Sequence, residues 1–307
     1  MKLLTVTVPC YNSQDYMEKC IRSILTGGDR VEIIIIDDES EDHTFDIALA
    51  YQKKDDRIIV EKQRHGGQSK ARNLGVRMAC GENLYFMDSD DRLERNALKE
   101  LYEDAAKDQL DVLYFDASVF FDPPSLKERF PAFINNYLRP EAFSEVYKGI
   151  ELLKEFHDHD CYRVSPCMQL LRREYLQQIQ LRFYEGIIHE DNLFTLTAIL
   201  KADRVSHRQK EYFSRRIRGN STMTGSESFK NINGYLKCYE GMLDLCYQYK
   251  EKPQYIKEIV VEMELISQII YNIYHRLPDS EKAGKDSLDE FEQHLLKNIS
   301  GSRSEER

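Results

Sequence analysis

Short apolar runs alternate with amphipathic stretches through the first third of this 307-residue chain. Residues 3–8 are short and rich in β-branched side chains, and Pro9 closes them, which predicts a first strand. Residues 16–25 repeat apolar side chains at Met17, Ile21, Ile24 and Leu25, a helical period that Gly27-Gly28 ends. Residues 31–36 are apolar but for Glu32, as a strand covered on both faces is. The alternation continues with helix over 44–53, strand over 57–61, a loop entering a helix over 67–79, strand over 84–87, helix over 96–107 and strand over 111–115. Strand and helix in strict succession imply a parallel sheet with helices on both sides.

Beyond this the pattern changes. Pro123-Pro124, Pro131 and Pro140 lie among scattered aromatics from 121 to 140 and predict a long excursion from the sheet. Helices are expected at 149–157, at 173–179 and from Phe229 onward. The clearest spans 255–277, where Ile256, Ile259, Val260, Met263, Ile266, Ile269, Ile270 and Ile273 fall along one side. Its polar side carries Glu258, Glu262 and Glu264, unlike the Lys/Arg-rich face of an interfacial helix, so the stripe reads as core or helix–helix contact. The polar tail after Lys297 is expected to fray.

The length suits one or two domains. A net charge of -10, from 53 acidic and 43 basic residues, excludes a backbone-driven nucleic-acid binder but not an anionic small molecule held by a local basic patch or a metal. Seven cysteines without Cys-x-x-Cys spacing read as reduced thiols. No stretch reaches the ~20 apolar residues of a membrane span, and residues 1–9 lack a signal-peptide apolar region. The expectation is a cytoplasmic protein, with room to work peripherally at the inner face of a membrane.

Candidate chemistry lies at the ends of apolar runs. Asp37-Asp38-Glu39-Ser40 follows one and Asp88-Ser89-Asp90-Asp91 another. In a parallel α/β sheet, ligands occupy the crevice beyond the carboxyl ends of the strands. Asp88 and Asp90 are two apart, so strand alternation would point both carboxylates the same way. Converging carboxylates suit a hard divalent cation that takes its remaining ligands from water and phosphates. An acidic turn capping the next helix through Asp91 or Asn96 is the competing reading. Asp38 can accept from a base N–H while Ser40 or Asp42 caps the helix at 44. Gly66-Gly67 before a helix allows backbone N–H groups to meet an anion, with Lys70 and Arg72 adding positive charge. The segment matches neither the dinucleotide nor the ATPase glycine pattern. His157-Asp158-His159-Asp160-Cys161 resembles a metal pattern but lacks further spaced ligands and reads as a solvated loop, with a substrate contact as the alternative. Arg215-Arg216-Ile217-Arg218 reads as a solvated charge run or as a ligand contact.

Pro9-Cys10-Tyr11-Asn12, Asp37-Asp38-Glu39-Ser40, Gly66-Gly67-Gln68-Ser69-Lys70-Ala71-Arg72-Asn73 and Asp88-Ser89-Asp90-Asp91 resemble, in order and spacing, glycosyltransferase family 2. The resemblance continues through residues 181–186 and His189-Glu190-Asp191 to about Met223. It implies a GT-A fold: α/β, with a Rossmann-like, mostly parallel sheet flanked by helices and a C-terminal helical extension. Residues 1–222 would be the nucleotide-sugar-binding and catalytic domain (about 1–118 the donor half, 119–222 the acceptor half), and 223–307 the helical region. It further implies inverting transfer from a nucleoside-diphosphate sugar, UDP-linked, to a saccharide or glycolipid acceptor of surface polysaccharide assembly, with Mn2+ or Mg2+ as cofactor.

By the same resemblance Pro9, Tyr11 and Asn12 edge the nucleotide pocket, with Tyr11 against the base. Asp38 accepts from the uracil N–H beside Asp37, and Arg72, with Lys70 near it, contacts the nucleotide. Asp88 lies near the ribose and Asp90 ligates the metal, with Ser89 between them. Asp191 is the catalytic base. Arg218 or Ser221, in a loop that closes over the donor, contacts diphosphate. Two other classes compete. A haloacid-dehalogenase-like phosphatase would carry its Asp-x-Asp on the first strand, and here it follows the fourth. A non-catalytic nucleotide-sugar-binding module would lack the base, which Asp191 argues against. The C-terminal helices are a candidate homodimer contact.

Overall fold

The computed structural model describes residues 3–219, 221 and 224–301. Met1, Lys2, Asn220, Thr222, Met223 and residues 302–307 lie outside that description, and with them the expected boundary at 222. The first half contains β1 (Leu4–Cys10), α1 (Gln14–Leu25), β2 (Val31–Asp37), α2 (Thr44–Gln52), β3 (Ile58–Lys62), α3 (Gln68–Met78), β4 (Asn83–Phe86), β5 (Arg92–Leu93), α4 (Ala97–Asp108) and β6 (Val112–Asp122). There follow α5 (Leu126–Arg129), α6 (Gly149–Asp158), β7 (Gln169–Arg172), α7 (Arg173–Gln178), α8 (Asp191–Leu200) and β8 (Val205–Arg218). The chain ends with α9 (Phe229–Gln248), α10 (Pro253–Arg276), α11 (Asp279–Lys282) and α12 (Glu290–Gly301).

All eight strands form one sheet in the order β3-β2-β1-β4-β7-β6-β8-β5. β1 to β4 are parallel, as expected. The continuation is not. β7 lies antiparallel between β4 and β6, so β6 never meets β4, and it runs on to Asp122 beside the parallel β8. β7 is too short, at four residues, to show a period, and the polar centre Arg208-Gln209-Lys210-Glu211 hides β8.

Alternate residues of β2 serve opposite faces of the sheet. Ile33 and Ile35 pack with α1 and α4, whereas Ile34 and Ile36 face the layer that contains α3, α6 and α8. The C-terminal helices join that second layer: Ile259, Met263, Ile266, Ile270 and Ile273 belong to one core with Leu152, Phe156 and Phe194. Each such aliphatic side chain contributes about 1.5–3 kcal/mol by leaving water. The expected stripe on α10 is corrected in two places. Val260 and Ile269 are exposed, and Glu258 and Glu262 are buried, because they face α6, where His157 pairs with both. His157 is therefore part of a helix and not of a solvated loop. The expected fraying after Lys297 is also corrected as far as Gly301, since α12 continues to that residue with Ile299 buried; the rest of the tail lies outside the described residues. Among the described residues no helix is long and apolar enough to cross a membrane.

Because β1, β2 and β4 are parallel neighbours, their carboxyl ends share one edge of the sheet. The Asp38 N–H donates to the Cys10 carbonyl at 2.9 Å and the Met87 N–H to the Thr7 carbonyl at 3.0 Å. That stitching brings the Tyr11, Asp38 and Asp88 segments side by side.

Candidate active site

A cavity of about 410 Å³ opens at this edge. Pro9, Tyr11, Asp38, Arg72, Asp88, Ser89, Asp90, Asp191, Arg218 and Ser221 all line it, so residues up to 212 positions apart in sequence meet there. Asn12, Asp37 and Lys70 do not line it. Asn12 is left-handed (φ 46°) and its Oδ1 accepts the Glu41 N–H at 2.9 Å, which ties the β1 turn to the β2 turn. Asp37 is fully buried, with Oδ2 accepting the Ser40 N–H at 3.1 Å. Lys70 Nζ reaches back to the Arg64 carbonyl at 3.5 Å.

The acids of the fourth strand end do not alternate along a strand. Residues 88–91 form a turn, with the Asp91 N–H donating to the Asp88 carbonyl at 3.2 Å. Arginines hold each carboxylate. Asp88 Oδ1 accepts Arg72 Nη2 at 2.8 Å and Gln68 Nε2 at 2.9 Å, and Asp90 Oδ2 accepts Arg218 Nε at 2.6 Å. Asp91 caps no helix; its Oδ1 accepts the Arg216 N–H at 2.7 Å. Asn96 is left-handed at the start of α4 and makes no capping bond. Burial opposes ionisation of Asp88, but the charges of Arg72 and then Arg215 outweigh it and hold its carboxyl below the ordinary range. Asp91 goes the other way: burial, then Asp90, push it well above that range. Arg215 is kept charged, against its burial, by Tyr137, Asp91 and Asp88. These arginines lie on β8 up to Arg218, so the expected loop begins only at Gly219.

Asp38 is saturated by the protein. Its Oδ1 accepts Gln63 Nε2 at 2.6 Å and the Gly66 N–H at 2.9 Å; its Oδ2 accepts the Gly67 N–H at 2.8 Å and lies 3.0 Å from His65 Nδ1. A carboxylate oxygen has about two lone-pair sites, so Asp38 shapes the 63–67 turn in this arrangement instead of waiting for a base. The turn needs Gly67 at φ 85°, a conformation side chains disfavour. It sets His65 against Tyr11, ring centroids 4.6 Å apart, and Tyr11 remains 43% exposed, a platform for a planar ligand.

Lining the same cavity as the acids, α8 begins at Asp191. Glu190 Oε1 accepts Arg72 Nη1 at 3.0 Å, so Arg72 spans from Asp88 to the residue beside Asp191. Burial raises Glu190 to about 7, with Arg72 opposing and Asp191 assisting. Burial also raises Asp191, despite Arg72 and Arg215. A carboxylate so raised is a stronger base when ionised. Reading the sequence missed the roles of Arg215 and Glu190, and it missed Ser165-Pro166 altogether, which line the cavity without any strand-end motif. A run of arginines was the only signal for the first, and nothing in it singled out Arg215.

The donor set at Asp88 and Asp90 fits a hard divalent cation. Both are carboxylates on one cavity wall, each using one oxygen on an arginine, and two protein ligands leave most of such an ion's shell to water or phosphate oxygens.

Comparison with known proteins shows the family and the fold. The sequence model of "Glycosyl transferase family 2" matches residues 5–180, more than half of the chain. EpsJ of Bacillus subtilis, an uncharacterized glycosyltransferase, is 34% identical over 213 residues, 66% of this chain and 58% of its own length. Poly(ribitol-phosphate) beta-N-acetylglucosaminyltransferase TarS of Staphylococcus aureus is 28% identical over 212 residues, 67% of this chain and 34% of its own. The chain thus spans between a third and three fifths of the length of these relatives. The crystal structure of TarS 1-349 in complex with UDP-GlcNAc shares the fold with a TM-score of 0.64 at 23% identity, covering 98% of this chain and 80% of that one. A mannosyltransferase of Pyrobaculum calidifontis, solved with GDP-Man and Mn2+, has a TM-score of 0.58 at 14% identity, covering 97% and 79%.

Proposed function

This chain belongs to glycosyl transferase family 2, and we propose that it moves a sugar from a UDP-linked donor to a hydroxyl of a saccharide or glycolipid acceptor, inverting the anomeric centre. The observation that carries this reading is the placement of Asp191 in the lining of the same cavity as the Asp88–Asp90 turn, close enough to feel the charges of Arg72 and Asp88. Asp191 takes the proton of the acceptor hydroxyl as its oxygen attacks the anomeric carbon. The bond from that carbon to the diphosphate oxygen breaks, and the nucleoside diphosphate leaves with the electron pair. One displacement from the opposite face gives inversion. Tyr11 supports the base, and Arg215 and Arg218 face the charge that grows on the leaving group. Asp88 and Asp90 would hold Mn2+ or Mg2+, which when bound neutralises diphosphate charge as a Lewis acid. The similarity to a poly(ribitol-phosphate) beta-N-acetylglucosaminyltransferase supports an acceptor from surface polysaccharide assembly. A glycolipid acceptor would bring the chain to the inner face of a membrane as a peripheral protein.

Thermal shift with UDP, GDP, UDP-GlcNAc and UDP-glucose, each with Mn2+ or with EDTA, tests the donor and metal together. A ligand that binds only the folded state at 100 times its Kd adds about 2.7 kcal/mol. The expected result is a UDP-specific rise that EDTA and Asp90→Ala both remove. Tight EDTA-insensitive binding would exclude the metal, and a preference for GDP would exclude the uridine donor.

A further inference from the structure

His189 lines the cavity immediately before Glu190 and Asp191. Its backbone is left-handed (φ 68°) and its ring is stacked on Tyr235 of α9, centroids 4.1 Å apart and 11° from parallel. Nε2 lies 3.0 Å from Asn231 Nδ2, and the His189 carbonyl accepts from the Cys238 thiol at 3.3 Å. Helix α9 can come this close because Gly234 faces the turn; a Cβ there would lie 2.0 Å from the Ile188 carbonyl oxygen.

The direction of the Asn231–His189 bond is set from its other end. Asn231 Oδ1 accepts the Ser228 N–H at 2.9 Å in the box that caps α9, so the NH2 end of the amide faces the imidazole. An amide nitrogen donates and does not accept. Nε2 is therefore the acceptor and carries no proton. Burial lowers the ring to about 4, so it is neutral at ordinary pH. A neutral imidazole holds one N–H, which must then be at Nδ1. Among the described residues nothing accepts from it.

We propose that His189 determines acceptor specificity: its Nδ1–H donates a hydrogen bond to a hydroxyl oxygen of the acceptor saccharide next to the one that Asp191 deprotonates. This deepens the transfer reading above and rests on it. A donor placed on the attacking oxygen itself would occupy the lone pair needed for attack, whereas the neighbouring hydroxyl carries no such penalty. An acceptor that lacks this hydroxyl leaves the N–H unpaired and is disfavoured.

Two measurements on the full chain test this. The first is the 15N imidazole spectrum, in which His189 is expected to show a protonated Nδ1 and a bare Nε2; the opposite tautomer overturns the proposal. The second is kinetics with UDP-GlcNAc or UDP-glucose and a panel of p-nitrophenyl hexosides, using the glycoside turned over fastest. In His189→Asn the amide nitrogen falls near the place of Nδ1, and the acceptor KM is expected to stay near wild type. In His189→Gln the amide reaches the place of Nε2, and the acceptor KM is expected to rise roughly three- to tenfold, the value of one neutral hydrogen bond, with donor Kd unchanged. Melting temperatures of both variants separate a folding loss from a binding loss, since Asn also tolerates the left-handed backbone better. If Gln rescues and Asn does not, His189 only clamps the turn to α9 and the proposal falls. UDP-sugar binding without transfer to any glycoside overturns the acceptor class. Undiminished transfer by Asp191→Asn overturns the base assignment instead, while the tautomer is still read.

Discussion

Arg72 and His157 are each a buried cation between two carboxylates, yet they do different work. Arg72 joins Asp88 to Glu190, residues 102 positions apart that both line the cavity, and its Nε has no partner among the described residues. His157 donates from Nδ1 to Glu258 at 2.6 Å and from Nε2 to Glu262 at 2.7 Å, two acids one turn apart on α10. With both ring nitrogens donating, the imidazole is charged. Their glutamates raise His157 above its ordinary range although burial opposes it. The second triad is sealed and its ring nitrogens are satisfied; the first borders open space and retains hydrogen-bonding capacity. Burial and charge pairing alone would rank the two alike, and the cavity tells them apart.

The largest effect expected is on the cavity side. Asp191→Asn should lower transfer by roughly 10²- to 10⁴-fold while calorimetry finds UDP-sugar affinity unchanged; wild-type turnover would remove Asp191 from the chemistry. The acid limb of the wild-type rate profile should lie above the ordinary carboxylate range, because burial favours the protonated, inactive form of Asp191. A limb at or below pH 4 would contradict it.

Truncating either cation sharpens the contrast. Removing one member of a buried pair costs about 3–5 kcal/mol, so Arg72→Leu and His157→Leu should both lower stability in urea unfolding. Only Arg72→Leu should also weaken UDP-sugar binding. Equal loss of donor affinity in the two variants would show that the helical layer and the cavity are one energetic unit.

The smallest effect is the pH dependence of the sealed triad. Since the folded state raises the His157 pKa, its stabilising contribution is complete below the unfolded value of about 6.5 and is lost as pH rises through the folded value. The melting-temperature gap between wild type and His157→Gln should therefore be widest at acid pH and narrow towards pH 9. A gap that widens with pH would mean the ring is neutral in the fold.

The two regions also differ in how far the sequence announced them. Asp38, Asp88 and Asp90 each follow a continuous apolar run, so their place at the sheet edge followed from strand order alone. Asp38 shows the boundary of that inference: its position was legible, but the four donors from residues 63–67 that occupy its oxygens were not. His157, Glu258 and Glu262 were legible only as polar residues, because nothing local says that α6 lies against α10.

Sequence by itself determined the parallel β1–β4 half, the order of the acidic turns and the family, because period, strand-end position and motif spacing are local properties of the chain. Tertiary structure alone decided that β7 enters antiparallel between β4 and β6, that β8 brings Arg215 into the cavity near Asp88 and Asp91, and that α9 meets the turn before Asp191. Those contacts join residues far apart in the chain through shape and hydrogen-bond direction, and no local pattern encodes them.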